Sequence, residues 1–248
     1  MALLETRKVT KTYGALMAVL NVSFFIDPGK IHSIIGPNGA GKTTFFNLLA
    51  GVFSPSSGEI IFEGKNISTM KQYKRARIGI GRSYQVTSIF PELSVRENVR
   101  VAVQSRGRHN FSSFRSAESL CEYMDKADSI LEEMGLISQA DQIASTIPYG
   151  SQRSLDVAIA LATEPKLLLL DEPTSGMSPE DTLKMIDLIE RISERYTIAL
   201  IEHHMSVVMS ISDKITVLSQ GMVIAEGAPN EIQSNEDVKK AYLGGGTV

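Results

Sequence analysis

The sequence is poor in the features that mark secreted, membrane-embedded and disulfide-stapled proteins. It has a single cysteine, Cys121, so no disulfide can form within the chain. The first residues show no signal-peptide pattern, and we therefore expect a reducing, cytosolic environment. No apolar run approaches the roughly 18 to 20 residues that a membrane-spanning helix requires. Any contact with a membrane is accordingly expected to come through a partner protein.

The chain also lacks an excess of positive charge. Its 25 Lys and Arg residues face 28 Asp and Glu residues, which gives a formal net charge of -3 at pH 7. Nucleic-acid binding depends on neutralising phosphates, so nucleic acid is not expected as a partner. A short basic run at residues 71–77, which includes Arg75, could bind nucleic acid or acidic lipid. Charge clusters this short are usually solvated, and we predict that this one forms an exposed surface.

The order of strand-like and helix-like segments predicts an α/β fold with a mainly parallel sheet. Alternating apolar and polar residues predict two antiparallel strands over residues 3–11 and 19–26. Apolar strands separated by helices then imply a buried parallel sheet, at residues 31–35, 167–170 and 197–201. A closing hairpin and a terminal helix are predicted at residues 215–218, 222–225 and 235–242.

The middle of the chain is predicted to be a helical lobe. Ser94 and Glu97 form a capping-box pattern that opens its first helix, and two further helices are predicted over residues 117–134 and 151–163. The polar residues 105–116 are predicted to form a loop at the tip of the lobe.

We expect a single domain over residues 1–248, made of three parts. The antiparallel strands and the first part of the core would occupy residues 1–92, and the helical subdomain residues 93–163. The rest of the core, with the hairpin and the terminal helix, would occupy residues 164–248.

A glycine-rich segment lies between the strand at residues 31–35 and the helix that follows it. It matches the phosphate-binding pattern of two glycines separated by four residues and followed by Lys and Thr, at Gly36, Pro37, Asn38, Gly39, Ala40, Gly41, Lys42, Thr43 and the adjoining Thr44. Glycines let backbone N–H groups turn towards phosphates, and the helix N-terminus adds positive potential. Lys42 would contact the β and γ phosphates, and the Thr43 hydroxyl would bind Mg²⁺. The segment therefore predicts a site for ATP and Mg²⁺.

Two adjacent carboxylates follow the apolar strand at residues 167–170. Asp171 is predicted to hold Mg²⁺, and Glu172 to orient and deprotonate the water that attacks the γ phosphate. By itself an Asp-Glu pair after leucines is often only the end of a strand. Together with the phosphate-binding segment, it predicts the second half of a nucleotide site.

The motif order resembles that of the ATP-binding cassette ATPases over essentially the whole chain. The resemblance implies a P-loop NTPase core of the RecA type, an antiparallel β subdomain and an inserted α-helical subdomain. It also implies roles for further residues. Tyr13 would stack on adenine, Gln85 would bind Mg²⁺ and couple the site to a transmembrane subunit, and His203 would contact the γ phosphate. His204 is a competing candidate for the last role, but His203 lies nearer the preceding strand.

Two segments depart from the family pattern. The signature pentapeptide of the family usually reads Leu-Ser-Gly-Gly-Gln, and the matching residues in this chain are Pro148, Tyr149, Gly150, Ser151 and Gln152. Tyr149 is assigned to the place of the serine. The resemblance implies that Gly150, Ser151 and Gln152 contact ATP bound to a second cassette. Ser178 stands where the family commonly has an aspartate that contacts the other site.

With a tyrosine in its signature segment, the chain resembles the ATPases of branched-chain and hydrophobic amino acid importers. The resemblance implies a Mg-dependent ATPase at the inner face of the plasma membrane. Its partners would be transmembrane permease subunits, a second ABC ATPase that is either a copy or a sibling and, indirectly, a periplasmic or extracellular solute-binding protein.

A soluble cassette unconnected with transport, or a cassette for a different small polar solute, is the alternative. Chromosome-type relatives would need a long heptad insertion and translation-type relatives a second cassette, and the sequence has neither. A P-loop GTPase would need an Asn-Lys-x-Asp segment, which is absent.

Overall fold

Two β-sheets and a set of helices form the part of the chain described by the computed structural model, which is residues 2–84, 88–106 and 117–243. The strands are β1 (Leu4–Tyr13), β2 (Leu16–Ile26), β3 (Ile31–Ile35), β4 (Ser57–Phe62), β5 (Lys65–Asn66), β6 (Ile80–Arg82), β7 (Leu167–Asp171), β8 (Thr197–Ile201), β9 (Lys214–Ser219) and β10 (Met222–Gly227). The helices are α1 (Lys42–Ala50), α2 (Gln72–Ile78), α3 (Val95–Ser105), α4 (Ala117–Glu133), α5 (Tyr149–Leu161), α6 (Pro179–Ser193), α7 (Met205–Ile211), α8 (Pro229–Ser234) and α9 (Glu236–Leu243).

The larger sheet has the strand order β10-β9-β3-β8-β7-β6, and the smaller sheet has the order β2-β1-β4-β5. All pairings in the larger sheet are parallel except that of β10 with β9, whereas the smaller sheet is antiparallel. In β7 the side chains of Leu167 and Leu169 join one core, and those of Leu168 and Leu170 join another. Successive side chains of a strand point to opposite faces, so a strand covered on both faces is apolar throughout. The predicted buried parallel sheet is therefore present.

The two cores place different elements on the two faces of the larger sheet. One core contains the inner faces of α3, α4, α5 and α6, and the other lies between the larger sheet, α1 and the antiparallel sheet. Ser94 caps α3 as predicted, since its Oγ accepts from the Glu97 amide at 3.1 Å. Residues of α1 and β7 share the second core, so the N-terminus of α1 and the carboxyl end of β7 are held by the same packing. The division at residues 92/93 and 163/164 stays a prediction.

The prediction that residues 71–77 form a solvated basic surface is wrong for Arg75. Residues 72–77 lie in α2, residue 71 is its N-cap, and the Arg75 side chain is fully buried. Its guanidinium donates to the carbonyl oxygens of Leu48 at 2.6 Å and Leu49 at 2.8 Å, which end α1. Further bonds go to the carbonyls of Ile67, Ser68 and Met70. Burial lowers the pKa of Arg75 to about 10, and the carbonyl dipoles compensate its charge.

Helix α5 begins at Tyr149, two residues before the predicted start, so part of the signature segment is helical. Met205 and Met209 pack against the small core formed with β9 and β10. Within the described ranges, no helix is long and apolar enough to cross a bilayer.

Candidate nucleotide site

The glycine-rich loop runs from the end of β3 to the start of α1, and two of its glycines are required by the neighbouring strands. Gly36 has a φ of 152°, and a Cβ added there would lie 2.1 Å from the Leu218 carbonyl oxygen. Gly41 has a φ of 95°, and its Cβ would lie 2.3 Å from the Ala18 carbonyl oxygen. Any larger residue would collide with backbone at both positions. The loop is therefore held in one shape by β9 and β2.

Lys42 is buried at the first position of α1, directly after this loop. Its Nζ donates to the carbonyl oxygens of Gly36 at 2.7 Å and Pro37 at 3.0 Å. Burial lowers the pKa of Lys42, and the nearby charge of Glu172 opposes that shift. Thr43 and Thr44 follow in the first turn of the helix, with Thr43 exposed. The loop therefore joins a cation, a hydroxyl and a helix N-terminus, which suits a polyphosphate.

Asp171 ends β7 and forms a buried ion pair with Arg82, the last residue of β6. Arg82 Nη2 lies 2.8 Å from Asp171 Oδ2, and the side chains are only 8% and 4% exposed. Arg82 Nη1 also donates to Asn47 Oδ1 of α1 at 2.6 Å. The guanidinium thus fixes the carboxylate relative to the helix that carries Thr43. A carboxylate and a hydroxyl are hard oxygen ligands of the kind that Mg²⁺ accepts.

Glu172 has a left-handed backbone conformation that is unusual for a residue with a side chain. Its φ is 48°, a region that costs about 1–3 kcal/mol unless surrounding structure enforces it. The Glu172 amide donates to the Ile201 carbonyl at 2.9 Å. Its carbonyl oxygen accepts from Arg153 Nη2 at 2.6 Å and from the Ser175 amide at 3.1 Å. These bonds fix the direction in which the Glu172 carboxylate leaves the backbone.

His203 lies beside Glu172, with 3.8 Å between its Nδ1 and Glu172 Oε2. His204 instead has its Nδ1 3.3 Å from Thr174 Oγ1. The contact with Glu172 therefore favours His203 over His204. Lys42, Glu172 and His203, predicted from three separate motifs, come together in this region.

A buried carboxylate that sequence reasoning missed supports both histidines. Glu202 is fully buried and accepts from the amides of His203 at 3.0 Å and His204 at 3.4 Å. Its other oxygen accepts from the Thr174 amide at 3.1 Å and from the Thr174 hydroxyl. A carboxylate directly after a short, mainly apolar strand was the signal that could have identified it.

Tyr13 lies at the end of β1 and is 44% exposed. Its ring contacts Phe53 edge-on at a centroid distance of 6.1 Å, and Lys11 Nζ lies 5.3 Å from its centroid. An exposed ring steadied at one edge has a face available for stacking. Its role as the adenine platform stays a prediction.

The two segments that depart from the family pattern, at Tyr149 and at Ser178, both make contacts within this chain. The Tyr149 hydroxyl donates to the Ser175 carbonyl at 3.2 Å, and a Cβ added at Gly150 would lie 2.9 Å from Asp181 Cγ. Ser178 is the N-cap of α6, where its Oγ accepts from the Asp181 amide at 3.1 Å. Serine is a strong N-cap residue, so the cap explains Ser178 without a contact to another subunit.

The other residues predicted to belong to the site are Ser151, Gln152 and Gln85. Gln152 binds the Ile147 carbonyl through its side-chain amide at 3.0 Å, and Ser151 lies in the first turn of α5. Gln85, the predicted Mg²⁺ and coupling residue, lies outside the described residues. Its described neighbours, Tyr84 and Ser88, are both anchored to α5 through Asp156.

Comparison with known proteins agrees with this geometry. A family profile described as ABC transporter matches residues 19–175, and one described as branched-chain amino acid ATP-binding cassette transporter matches residues 222–247. The chain is 40% identical over 251 residues to the high-affinity branched-chain amino acid transport ATP-binding protein LivG of Escherichia coli strain K12, with 98% of each chain covered.

Solved structures give the same result. An ATP-binding cassette of an ABC transporter superposes with a TM-score of 0.87 at 28% identity, covering 98% of this chain and 99% of that one. A dimeric cassette in a post-hydrolysis state, bound to ADP and Pi, superposes with a TM-score of 0.78 at 26% identity. The alignment covers 91% of this chain and 98% of that chain.

Proposed function

This chain belongs to the ABC transporter family of ATP-binding cassettes, and from that premise we propose that it energises the import of branched-chain or other hydrophobic amino acids. The predicted P-loop NTPase fold and the ATPase class are confirmed by the family match and the cassette structures. The choice of solute is supported by the relationship to LivG and by the second profile at residues 222–247.

The observation that carries the catalytic proposal is the convergence of Lys42, Glu172 and His203. In this proposal Glu172 orients the attacking water and takes its proton, while Lys42 and His203 stabilise charge on the γ phosphate. ATP would be held by Tyr13, Gly36, Pro37, Asn38, Gly39, Ala40, Gly41, Lys42, Thr43 and Thr44. Thr43, Asp171 and Gln85 would bind Mg²⁺, which neutralises phosphate charge when it is bound.

The other half of the enclosure would come from a second cassette, through Gly150, Ser151 and Gln152. The start of α5 supports a register for this segment that differs by one residue from the one predicted from sequence, which put Tyr149 in the place of the serine. Pro148 is the N-cap of α5, the position that a helix-capping serine prefers. We therefore place the missing signature serine at Pro148 and its first glycine at Tyr149.

The proposed assembly has two cassettes and transmembrane permease subunits at the inner face of the plasma membrane. The second cassette is a copy of this chain or a sibling subunit, and a solute-binding protein delivers the amino acid from the other side. Catalysis in such an arrangement depends mainly on positioning and charge stabilisation.

Glu172→Gln tests both the catalytic role and the coupling to transport. It should retain ATP binding and reduce hydrolysis by a factor of about 10² to 10⁴, the range for loss of a general base. In cells whose only copy is the variant, uptake of labelled leucine should fall in parallel. Glu190→Gln, on the exposed face of α6, is the matched control and should change neither quantity.

Unchanged hydrolysis by Glu172→Gln would remove Glu172 from the catalytic role. Lost hydrolysis with undiminished leucine uptake would instead contradict the proposed solute class.

A further inference from the structure

Helix α5 carries two buried charged residues, Arg153 and Asp156, three positions apart and therefore on one face of the helix. Arg153 is 3% exposed and Asp156 is 4% exposed. Asp156 accepts from the Tyr84 amide at 2.9 Å and from the Ser88 amide at 3.0 Å. Arg153 Nη1 lies 3.1 Å from the carbonyl oxygen of the same Tyr84. Side chains of α5 therefore hydrogen-bond to the backbone of Tyr84 and of Ser88.

The second arm of Arg153 reaches the catalytic segment. Its Nη2 donates to the carbonyl oxygen of Glu172 at 2.6 Å, a shorter bond than the one from Nη1 to the Tyr84 carbonyl oxygen. Glu172 is the residue with the left-handed backbone, at a φ of 48°. The rotation of its peptide groups decides where the carboxylate points, and Arg153 holds the peptide that follows Glu172. One guanidinium thus connects α5, the Tyr84 backbone and the Glu172 backbone.

We propose that Arg153 is a positioning residue that sets the Glu172 carboxylate and makes its placement depend on α5 and on the segment at Tyr84. The proposal rests on the proposed role of Glu172 in hydrolysis. When α5 or the Tyr84 backbone shifts, the bond to the Glu172 carbonyl lengthens, and Glu172 relaxes towards the ordinary right-handed region of backbone conformation. Hydrolysis then stops while the phosphate loop keeps its grip on ATP.

An ordinary structural role for Arg153 would be to neutralise the charge of Asp156 inside the core. The charge of Arg153 does oppose the rise in the pKa of Asp156 that burial causes. The hydrogen bonds show an additional role, because Arg153 Nη1 and Nη2 both donate to backbone carbonyls and the two carboxylate oxygens of Asp156 both accept from backbone amides. The two side chains therefore fix the orientation of the peptide groups to which they bind, at Tyr84, Ser88 and Glu172. The Glu172 peptide is the one of these that adjoins the catalytic carboxylate.

Arg153→Met and Arg153→Lys test the proposal in the full-length chain. We expect Arg153→Met to lower kcat for ATP hydrolysis at least about tenfold, as expected for misplacement of a general base. The KM and the Kd for ATP should stay within about twofold, because uniform binding is untouched. Arg153→Lys keeps the charge but lacks the planar fork that reaches two carbonyls, so it should show an intermediate kcat. Arg191→Met removes an arginine bond to the Glu133 carbonyl and should leave kcat unchanged.

The deciding measurement is a double-mutant cycle with Glu172→Gln. If Arg153 acts through Glu172, adding Arg153→Met to Glu172→Gln should reduce the residual hydrolysis by less than about twofold. A multiplicative loss, with the two defects independent, would overturn the proposal and leave the role of Glu172 intact. Full hydrolysis by Glu172→Gln alone would instead overturn that role. Should Arg153→Met fail to bind ATP because it is misfolded, Arg153→Lys completes the same cycle.

Discussion

At the scale of single residues, the buried ion pair between Arg82 and Asp171 fixes the carboxylate that is proposed to bind Mg²⁺. Taking two charges out of water is costly, and their attraction offsets that cost only while both are present. Arg82 also binds Asn47 of α1, so it joins the helix that follows the glycine-rich loop to the strand that ends in Asp171. The pair therefore contributes position as well as charge.

Removal of Arg82 should consequently leave Asp171 as an uncompensated buried charge. We predict that Arg82→Met lowers the free energy of unfolding by about 3–5 kcal/mol, the usual effect of breaking a buried pair. Mg²⁺ with ADP should recover part of that loss, because a bound cation supplies the missing charge. Urea unfolding with and without Mg²⁺ and ADP measures both effects. Arg7→Met, which breaks an exposed pair with Glu5, is the control and should not measurably change stability; equal losses in the two variants would contradict the prediction.

Residues such as Arg82 and Arg75 could not be predicted because the partners that explain their burial lie far away in sequence. Arg75 binds carbonyls 26 and 27 positions earlier in the chain, and no local pattern of charge reports such a pairing. Lys42, Asp171 and Glu172 could be proposed from sequence because each follows a strand or a glycine turn directly. Local sequence patterns therefore suggested the candidate reacting groups, whereas tertiary packing determines the residues that hold them.

At the scale of elements, the most buried strands were the most predictable. Strand β8 was predicted with its observed bounds and β7 to within one residue, because both are apolar on both faces. Helix α2 was not predicted, since its sequence has too little apolar periodicity to stand out. The start of α5 was missed because Pro148 and Tyr149 are not recognised as the beginning of a helix from propensity alone.

Strand β3 contains an exception to the rule of apolar residues, His32, which is 2% exposed. Its Nε2 lies 2.8 Å from Thr216 Oγ1, and Thr216 donates to Glu226. Phe24 packs against the imidazole at a centroid distance of 4.5 Å. Burial, helped by the positive charge of Lys214, lowers the pKa of His32 to about 3. The folded protein therefore keeps this ring neutral where the unfolded chain would protonate it.

The sign of the resulting pH dependence follows directly. Below a pH of about 6.5, the pKa of an unperturbed histidine, His32 is protonated in the unfolded chain. In the folded chain it stays neutral until the pH falls to about 3. Stability should thus fall as pH drops through that window, with a contribution from His32 of up to about 1.4 kcal/mol per pH unit. His32→Gln should reduce the slope of unfolding free energy against pH between 6 and 4, in roughly that proportion. Thr216→Val, which adds no titrating group, should lower stability but keep the slope; an unchanged slope in His32→Gln would refute the assignment.

At the scale of the whole molecule, the proposed dimer would make the nucleotide site of this chain one half of a larger site. The phosphate loop, Asp171, Glu172 and His203 are all present in this chain, whereas the signature segment at Gly150 packs against Asp181 of α6. The N-terminus of α5 carries positive potential that suits a phosphate. In the proposed dimer it would be offered to ATP on the second cassette, and each chain would complete the site of the other.

Gly150→Asp tests this division of labour, provided that the contact with Asp181 is controlled. A side chain at Gly150 would meet Asp181 Cγ at 2.9 Å within the same chain, so the variant is compared with Gly150→Asp/Asp181→Ala and with Asp181→Ala alone. We predict that both Gly150→Asp variants bind ATP normally as isolated chains but lose turnover by at least about 10²-fold, the effect of removing preorganised charge stabilisation. Fluorescent-nucleotide titration and steady-state hydrolysis measure the two quantities. Impaired binding by the isolated chain would assign the segment to its own site, and recovery of turnover in the double variant would trace the defect to the clash with Asp181.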